Sequence, residues 1–135
     1  MIVGFTCGAF DFLHPGHIHL LQVAKNMCDE LVVGLHTDPT IDRPEKNKPL
    51  QTTLERYIQL SALRSVDRII PYDTEQDLNH ILSIFDINRR FVGSDYIKKN
   101  ITGFDICKRR RIEIVYVSRL HNWSSSSMRT KFKTS

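Results

Sequence analysis

Apolar residues are grouped along the chain in short, mainly continuous runs, and the segments between these runs show helical spacing. The runs cover residues 1–5, 31–35, 68–71, 90–92 and 112–117. Runs of this length without strict polar alternation are typical of strands buried on both faces of a parallel sheet. The pattern therefore predicts five strands.

Helices are predicted between these strands. Apolar residues recur every three or four positions in 20–28, 54–63 and 78–85, and a shorter helix is expected at 103–110. Strands joined through helices form right-handed parallel crossovers. We therefore expect a Rossmann-like α/β fold, in which a doubly wound, five-stranded parallel sheet of order 3-2-1-4-5 has helices on both faces.

The second predicted helix has the clearest start. Thr52 and Glu55 have the spacing of a capping box, in which each side chain accepts a hydrogen bond from the backbone of the other residue. An amphipathic helix is predicted to follow, and its apolar residues are Leu54, Ile58 and Ala62 with Tyr57, Leu60 and Leu63.

The composition is that of a globular chain with a small excess of positive charge. The 135 residues carry a formal net charge of +4, and 41% of them are hydrophobic, so we expect a single domain spanning 1–135. The charge favours anionic partners such as nucleotides, phosphorylated metabolites, nucleic acid or acidic lipid. Interleaved surface aromatics and the known RNA-binding signatures are missing, which disfavours nucleic acid.

The cysteines and the apolar runs bear on the compartment. Cys7, Cys28 and Cys107 are an odd number of widely separated residues, which predicts reduced core thiols and no disulfide framework. The sequence shows neither a secretory signal pattern nor an apolar run of membrane-spanning length. We expect a cytoplasmic protein without a membrane partner.

Residues 8–17 carry the strongest candidate chemistry, since they follow the first predicted strand and read Gly-Ala-Phe-Asp-Phe-Leu-His-Pro-Gly-His. Pro15 is favoured at the first position of a helix, because its missing N–H would have no intrahelical partner. The turn thus places backbone N–H groups and a helix N-terminus beside the imidazoles of His14 and His17. Gly16 allows a ligand oxygen to approach the backbone closely. The segment predicts a phosphate-binding turn.

Two other interpretations of the histidines are weaker. A pair of surface histidines at a helix start would leave the coincidence with the turn and the glycine unexplained. A zinc site would use His14, His17 and His19, but the cysteines are scattered and neither a CxxC nor an HExxH spacing accompanies them.

Residues 39–49 lack an apolar period and are predicted to form a mobile surface loop. The loop carries Lys46 and Lys48, whose ammonium groups can follow the charge that develops on a transferred phosphoryl group. The loop is therefore a candidate lid, with a solvated linker as the alternative. Asp38, just before the loop, is either a cap or a ligand-binding residue.

The segment 8–17 resembles the HxGH signature of the cytidylyltransferase-like nucleotidyltransferases, and the chain reads closest to the glycerol-3-phosphate cytidylyltransferases. In this family the paired histidines bind the triphosphate and stabilise the transition state at the α-phosphorus, which implies catalytic roles for His14 and His17. Family lysines in the loop imply a catalytic and substrate-binding role for Lys46, with Lys48 as the second substrate-binding candidate. The other nucleotide contacts implied in this segment are Gly8, Ala9, Phe10, Asp11 and Gly16.

A second signature of the family, Arg-Thr-Glu-Gly-Ile-Ser-Thr-Thr, corresponds to residues 119–126. The arginine and the run of hydroxyls are retained, whereas the glutamate and the glycine are not. The resemblance implies that the retained residues bind the β- and γ-phosphates. They are Arg119, Ser124, Ser125 and Ser126.

The family usually has Gly-Asp-Asp at the end of the fourth strand, where this chain has Gly93, Ser94 and Asp95. The resemblance implies that Gly93 and Asp95 contact the nucleotide. Because Ser94 replaces the first aspartate, the family's rule for base recognition does not transfer directly.

The resemblance implies transfer of CMP from CTP to a phosphorylated alcohol or polyol similar to glycerol 3-phosphate, with release of pyrophosphate. It also implies a homodimer, and Mg²⁺ that bridges the phosphates of the nucleotide. Asp11 is expected to orient a histidine or to lie near this Mg²⁺, and no residue is assigned as a metal ligand. The attacking phosphate oxygen is already anionic near neutral pH, so no general base is required. Glycerol-3-phosphate enzymes place a lysine after a Glu-Gln pair, but Glu75 and Gln76 precede Asp77 here, which favours a different acceptor.

Two alternatives stay open at this point. One is an adenylyltransferase that uses ATP with a sugar phosphate or a cofactor precursor. The other is a nucleotide sensor without turnover, which release of pyrophosphate would distinguish from an enzyme.

Overall fold

A computed structural model describes residues 1–119 and contains a single five-stranded parallel sheet within that range. The strand order is β3-β2-β1-β4-β5, which confirms the predicted order. The strands are β1 Val3–Gly8, β2 Glu30–His36, β3 Arg68–Tyr72, β4 Arg89–Gly93 and β5 Glu113–Val117.

Four α-helices connect the strands and cover both faces of the sheet, as predicted. They are α1 Pro15–Asn26, α2 Thr53–Ser61, α3 Glu75–Ile84 and α4 Phe104–Arg109. Leu21 of α1 and Leu60 of α2 belong to the core cluster on one face, whereas Leu82 of α3 and Cys107 of α4 belong to the cluster on the other. Within residues 1–119, no helix is long and apolar enough to cross a membrane.

Side-chain hydrogen bonds cap the start of α2 and a short turn that follows β2. Thr52 and Glu55 form the predicted capping box at the start of α2. Asp38 caps a short 3₁₀ turn, Pro39–Ile41, by accepting the N–H of Thr40 at 3.0 Å, so the first part of the predicted loop is ordered. Asp38 therefore has the capping role of its two predicted alternatives.

The apolar residues of α2 do not all lie on its buried face. Leu54 and Ile58 are 67% and 57% exposed, whereas Arg56 and Leu60 face the sheet. The helix is rotated because the guanidinium of Arg56 takes up backbone carbonyl groups at the ends of two strands. These carbonyls would otherwise be buried without a donor.

The sheet opens beside β1. β1 pairs with β2 over six residues but with β4 over only two, Gly4 with Arg89 and Phe5 with Arg90. Beyond that point the Thr6 hydroxyl donates to the carbonyl of Phe91 at 2.9 Å. The strands thus diverge toward their carboxyl ends, and this is the position where doubly wound sheets bind ligands.

Candidate active site

A cavity of about 450 Å³ lies in this opening. Most of the site residues predicted from the sequence line it, and these are Gly8, Ala9, His14, Gly16, His17, Lys46, Gly93, Asp95 and Arg119. Phe10, Asp11 and Lys48 do not line it. Ser124, Ser125 and Ser126 lie outside the described residues, and their phosphate-binding role stays a prediction.

The two histidines form the N-terminal cap of α1. Nδ1 of His14 accepts the N–H of Gly16 at 3.1 Å and of His17 at 3.4 Å. In return, Nδ1 of His17 accepts the N–H of His14 at 3.4 Å. This is a capping box in which imidazoles replace the usual hydroxyl and carboxylate. The sequence predicts that the N–H groups at the start of α1 face a ligand, whereas in the structure Nδ1 of His14 already accepts two of them.

The cap determines which ring nitrogen of each histidine carries the proton. A nitrogen that accepts a backbone N–H bond must present its lone pair, so the hydrogen-bond network assigns the proton of each neutral ring to Nε2. The rings of His14 and His17 stack with centroids 3.8 Å apart. The pair therefore offers two Nε2–H donors from one rigid unit at the cavity.

Both imidazoles are held neutral. Burial, followed by the charge of His14, lowers the pKa of His17 to about 3. Burial, followed by the charge of Arg119, lowers the pKa of His14 from its ordinary value of 6.5. At neutral pH the two stacked rings therefore do not repel each other as cations, and each can still donate a hydrogen bond.

The depressed pKa of His17 predicts a dependence of stability on pH. Unfolding returns the pKa from about 3 to 6.5, so the unfolded chain binds a proton that the folded chain excludes. The free energy of unfolding is expected to fall by a few kcal/mol in total as the pH is lowered from about 6.5 toward 3. The free energy of unfolding, measured by urea titration at each pH, should change less steeply with pH for His17→Gln than for wild type. The exposed His80→Gln control should keep the wild-type slope, and equal slopes for all three proteins would contradict the prediction.

Residues 10–12, just before the cap of α1, are held in place by hydrogen bonds to the segment before α2. Phe10 and Phe12 both have φ of 51°, a left-handed backbone conformation that bulky residues rarely adopt. The carboxylate of Asp11, between them, accepts the N–H groups of Leu50 and Gln51 at 3.0 Å each. Strain of this kind persists where the surroundings enforce it. Asp11 thus anchors the turn to the segment before α2, and Phe10 is buried in the core.

Arg56 is the largest fully buried side chain and was not singled out from the sequence. Its Nη1 donates to the carbonyls of Ala9 at 2.9 Å and His36 at 2.7 Å, and its Nη2 donates to Thr37 at 2.8 Å. Its Nε donates to the carbonyl of Gln51 at 3.2 Å. One guanidinium therefore joins the histidine turn, the end of β2 and the start of α2.

The predicted lid loop is tied to α3. The N–H of Glu75 donates to Asp42 at 2.6 Å, and the Glu75 carboxylate lies 3.5 Å from the guanidinium of Arg43. Lys46 lines the cavity, whereas Lys48 does not. The hydroxyl of Thr40 donates to Asp38 and is the main cause that lowers the pKa of that carboxyl, to which the charge of Lys48 adds.

On the other side of the cavity, Arg119 and Asp95 form an ion pair at 2.9 Å. Both residues were predicted to bind the nucleotide, and the pair connects the end of β5 to the turn after β4. The positive charge of Arg119 reaches both histidines, since it contributes to the lowered pKa of each.

Asp11 and Asp95, the two carboxylates predicted beside the nucleotide, are both engaged by protein groups. Asp11 is engaged by two backbone N–H groups, and Asp95 by Arg119. Within residues 1–119, no group of three His, Cys, Asp or Glu side chains could hold a metal ion. His19, the third histidine of the zinc alternative, has its Nε2 3.2 Å from the carbonyl oxygen of Ser118.

Comparison with known proteins agrees with this geometry. The chain is 37% identical over 133 residues to the bifunctional protein HldE of Hyphomonas neptunium, a match that covers 98% of this chain and 27% of that protein. It is 39% identical over 105 residues to HldE of a Caulobacter strain, covering 77% and 21%. The chain thus spans about a quarter of the length of these curated relatives.

Solved structures show the same fold. The lipopolysaccharide core biosynthesis protein from Thermoplasma volcanium matches with a TM-score of 0.73 and 27% identity, covering 90% of this chain and 99% of that one. Pantothenate synthetase from Thermus thermophilus matches with a TM-score of 0.70 at 17% identity, covering 98% and 64%, which is a likeness of fold alone.

The family is assigned from the sequence. Residues 5–131 match the family described as cytidylyltransferase-like. The closer likeness to glycerol-3-phosphate cytidylyltransferases is not confirmed, because the relatives reported above carry other names. The chain belongs to the cytidylyltransferase-like family of nucleotidyltransferases.

Proposed function

We propose that the chain transfers the nucleotidyl group of ATP to a sugar phosphate and releases pyrophosphate. The observation that carries this proposal is the stacked pair of neutral histidines, whose two Nε2–H donors lie at the opening of the sheet. Donors of this kind, fixed in place before the reaction, stabilise charge that develops on phosphate oxygens.

The chemistry requires positioning and charge stabilisation more than a nucleophilic side chain. An oxygen of the acceptor phosphate attacks the α-phosphorus, a new phosphorus–oxygen bond forms, and the bond to the β-phosphate oxygen breaks so that pyrophosphate leaves. The second pKa of a phosphate monoester is ~6, so the acceptor is already a dianion at neutral pH and no proton needs to be removed. The neutral imidazoles are suited to donate hydrogen bonds and are not needed as bases.

Within this proposal the residues have distinct roles. His14 and His17 donate to the α-phosphate and to the leaving oxygen, and Lys46 meets the acceptor phosphate and the transition state. Arg119 with Ser124 to Ser126 binds the β- and γ-phosphates. Nucleotidyltransferases generally use a divalent metal with the triphosphate, and we propose Mg²⁺, carried by the phosphates, as this metal.

ATP replaces CTP as the proposed donor for three reasons. Ser94 stands where the cytidylyltransferase pattern has its first aspartate. Asp95, which would be left to accept the exocyclic amine of cytosine, is already bound by Arg119 at 2.9 Å. The relatives reported above, named HldE and lipopolysaccharide core biosynthesis protein, are also not named as cytidylyltransferases.

A sugar phosphate is the proposed acceptor because a lipopolysaccharide core is built from sugars, and the structure with that title is 27% identical to this chain. Glycerol 3-phosphate is disfavoured. At the position where its transferases carry a lysine, Asp77 accepts the N–H groups of Asp73 and Thr74 at the start of α3.

Release of pyrophosphate tests the proposal. The chain with Mg²⁺, ATP and a panel of sugar phosphates is expected to release pyrophosphate, with kcat/KM at least about tenfold higher for ATP than for CTP. A pocket that hydrogen-bonds one base leaves buried polar groups unpaired with the other, at about 1–3 kcal/mol each. Faster turnover with CTP would restore the cytidylyltransferase interpretation. Binding of ATP without pyrophosphate release under any condition would favour the nucleotide sensor.

The two loop lysines provide a matched pair of variants. Lys46→Ala is expected to lower kcat by about tenfold or more and to raise KM for the acceptor, because it removes a cation that meets charge in the transition state. Lys48→Ala, outside the cavity lining, should stay within about twofold of wild type. Steady-state kinetics with the reverse order would transfer the role to Lys48.

The homodimer and the cytoplasmic location stay predictions. The exposed side chains of Leu54, Tyr57 and Ile58 on α2 are compatible with a protein partner on that face. Sedimentation of the purified chain would measure its oligomeric state directly.

A further inference from the structure

Besides Arg43, Lys46 and Arg119, one further cationic side chain lines the cavity. Arg90, in β4, lines the cavity and is only 4% exposed. It lies three residues before Gly93, about 10 Å along the strand from the predicted nucleotide contacts. Its guanidinium faces the side of the sheet covered by α3 and α4, where Tyr72, Leu78 and Thr102 line the same part of the cavity.

Arg90 lacks a counter-charge within residues 1–119. Its Nη1 donates to the carbonyl of Thr102, but its Nε is buried without a hydrogen-bond partner. No carboxylate of the described chain forms an ion pair with it, whereas the cavity arginines Arg43 and Arg119 pair with Glu75 and Asp95. A buried cation that no protein acid neutralises is costly to the fold, and such a cost is commonly retained where a ligand supplies the opposite charge.

This cation is separate from the histidine site. Successive side chains of a strand point to opposite faces of the sheet, and Phe91 packs in the same core cluster as Leu21 of α1. Arg90, the residue before Phe91, therefore points to the face covered by α3 and α4, away from α1 and its histidine cap. A group bound at Arg90 is therefore not the phosphate that attacks beside the histidines.

We propose that Arg90 binds a second anionic group of the acceptor, a carboxylate or a phosphate, at the end of the sugar away from the attacking phosphate. This inference rests on the proposed function, since it assigns an acceptor to the same cavity. It narrows the acceptor from any sugar phosphate to an acidic sugar phosphate or a sugar bisphosphate.

Three probes that differ in this one group test the assignment. Glucose 1-phosphate has no second anionic group, glucuronic acid 1-phosphate has a carboxylate, and glucose 1,6-bisphosphate has a phosphate. Calorimetric titration of the full chain with each probe should give at least about tenfold tighter binding for one or both of the doubly anionic probes, as expected for a buried charge-assisted hydrogen bond. The preferred probe identifies the source of the charge.

Variants connect this preference to Arg90. Arg90→Gln should bind all three probes with nearly equal affinity, and Arg90→Lys should keep part of the preference. Arg89→Gln is the matched control. The adjacent arginine is bound by the carbonyl of Met27 and the carboxylate of Glu113, and it does not line the cavity. This control should keep the full preference.

Equal affinity of wild type for all three probes would overturn the proposal, as would absence of binding by every probe. The proposal would also be overturned if Arg90→Gln lowered the affinity for all three probes by the same factor. Because titration does not require turnover, it separates this site from the proposed function. A preference that depends on Arg90 without pyrophosphate release supports the anion site and contradicts only the transferase activity. If Arg90→Gln does not fold, the proposal is tested by the affinities of wild type and of Arg90→Lys for the three probes.

Discussion

His17→Ala is expected to lower kcat by about 10²- to 10³-fold, the cost of losing one donor that is fixed in place toward charge that grows in the transition state. The effect should be on kcat more than on KM, since the Nε2–H bond strengthens as negative charge accumulates on the leaving oxygen. Steady-state release of pyrophosphate measures both constants.

Two further variants separate chemistry from folding. The Nδ1 atom of His17 also closes the cap of α1, so alanine removes a cap acceptor together with the donor. His17→Gln keeps an acceptor at the third helical position, where glutamine is a usual capping residue, and should therefore fold better but turn over as slowly. The exposed His80→Ala should behave as wild type. Normal turnover of both His17 variants would contradict the assignment.

The fold and the histidine site could be predicted because their signals are local. Each strand is a short apolar run, and the switch point follows from the order of the elements along the chain. His14, Pro15, Gly16 and His17 are adjacent in sequence, so their coincidence at one turn is visible without a structure. The use of each Nδ1 as a backbone cap was not visible, because histidine is not a usual capping residue.

The buried arginines could not be predicted in the same way. An arginine in an amphipathic helix or at the start of a strand normally marks the exposed face. Arg56 is buried because the carbonyls of Ala9, His36 and Thr37 converge from segments far apart in sequence. The same reason explains why Leu54 and Ile58 of the apolar repeat are exposed, since hydrophobic periodicity ignores a polar side chain whose partners are all tertiary.

Arg56 also explains how the site is kept in register. The histidine turn carries backbone strain at Phe10 and Phe12, and the lid loop begins directly after β2. Asp11 joins the histidine turn to the segment just before α2. The guanidinium of Arg56 joins α2 both to this turn, at Ala9, and to the start of the lid loop, at Thr37. The positions of the histidines and of Lys46 therefore depend on one buried cation that does not line the cavity.

Arg56→Met is accordingly expected to reduce the free energy of unfolding by at least about 3 kcal/mol. The substitution fills a similar volume but leaves several buried carbonyls without donors, each at a cost of about 1–3 kcal/mol. Arg56→Lys should recover little, because a single ammonium cannot reproduce the planar set of donors that spans three segments. Arg64→Met, at an exposed arginine just beyond the same helix, should change stability by less than about 0.5 kcal/mol. Urea unfolding of the four proteins measures these differences. Arg56→Met with the stability of Arg64→Met would show that the guanidinium does not hold the turn, the end of β2 and α2 together.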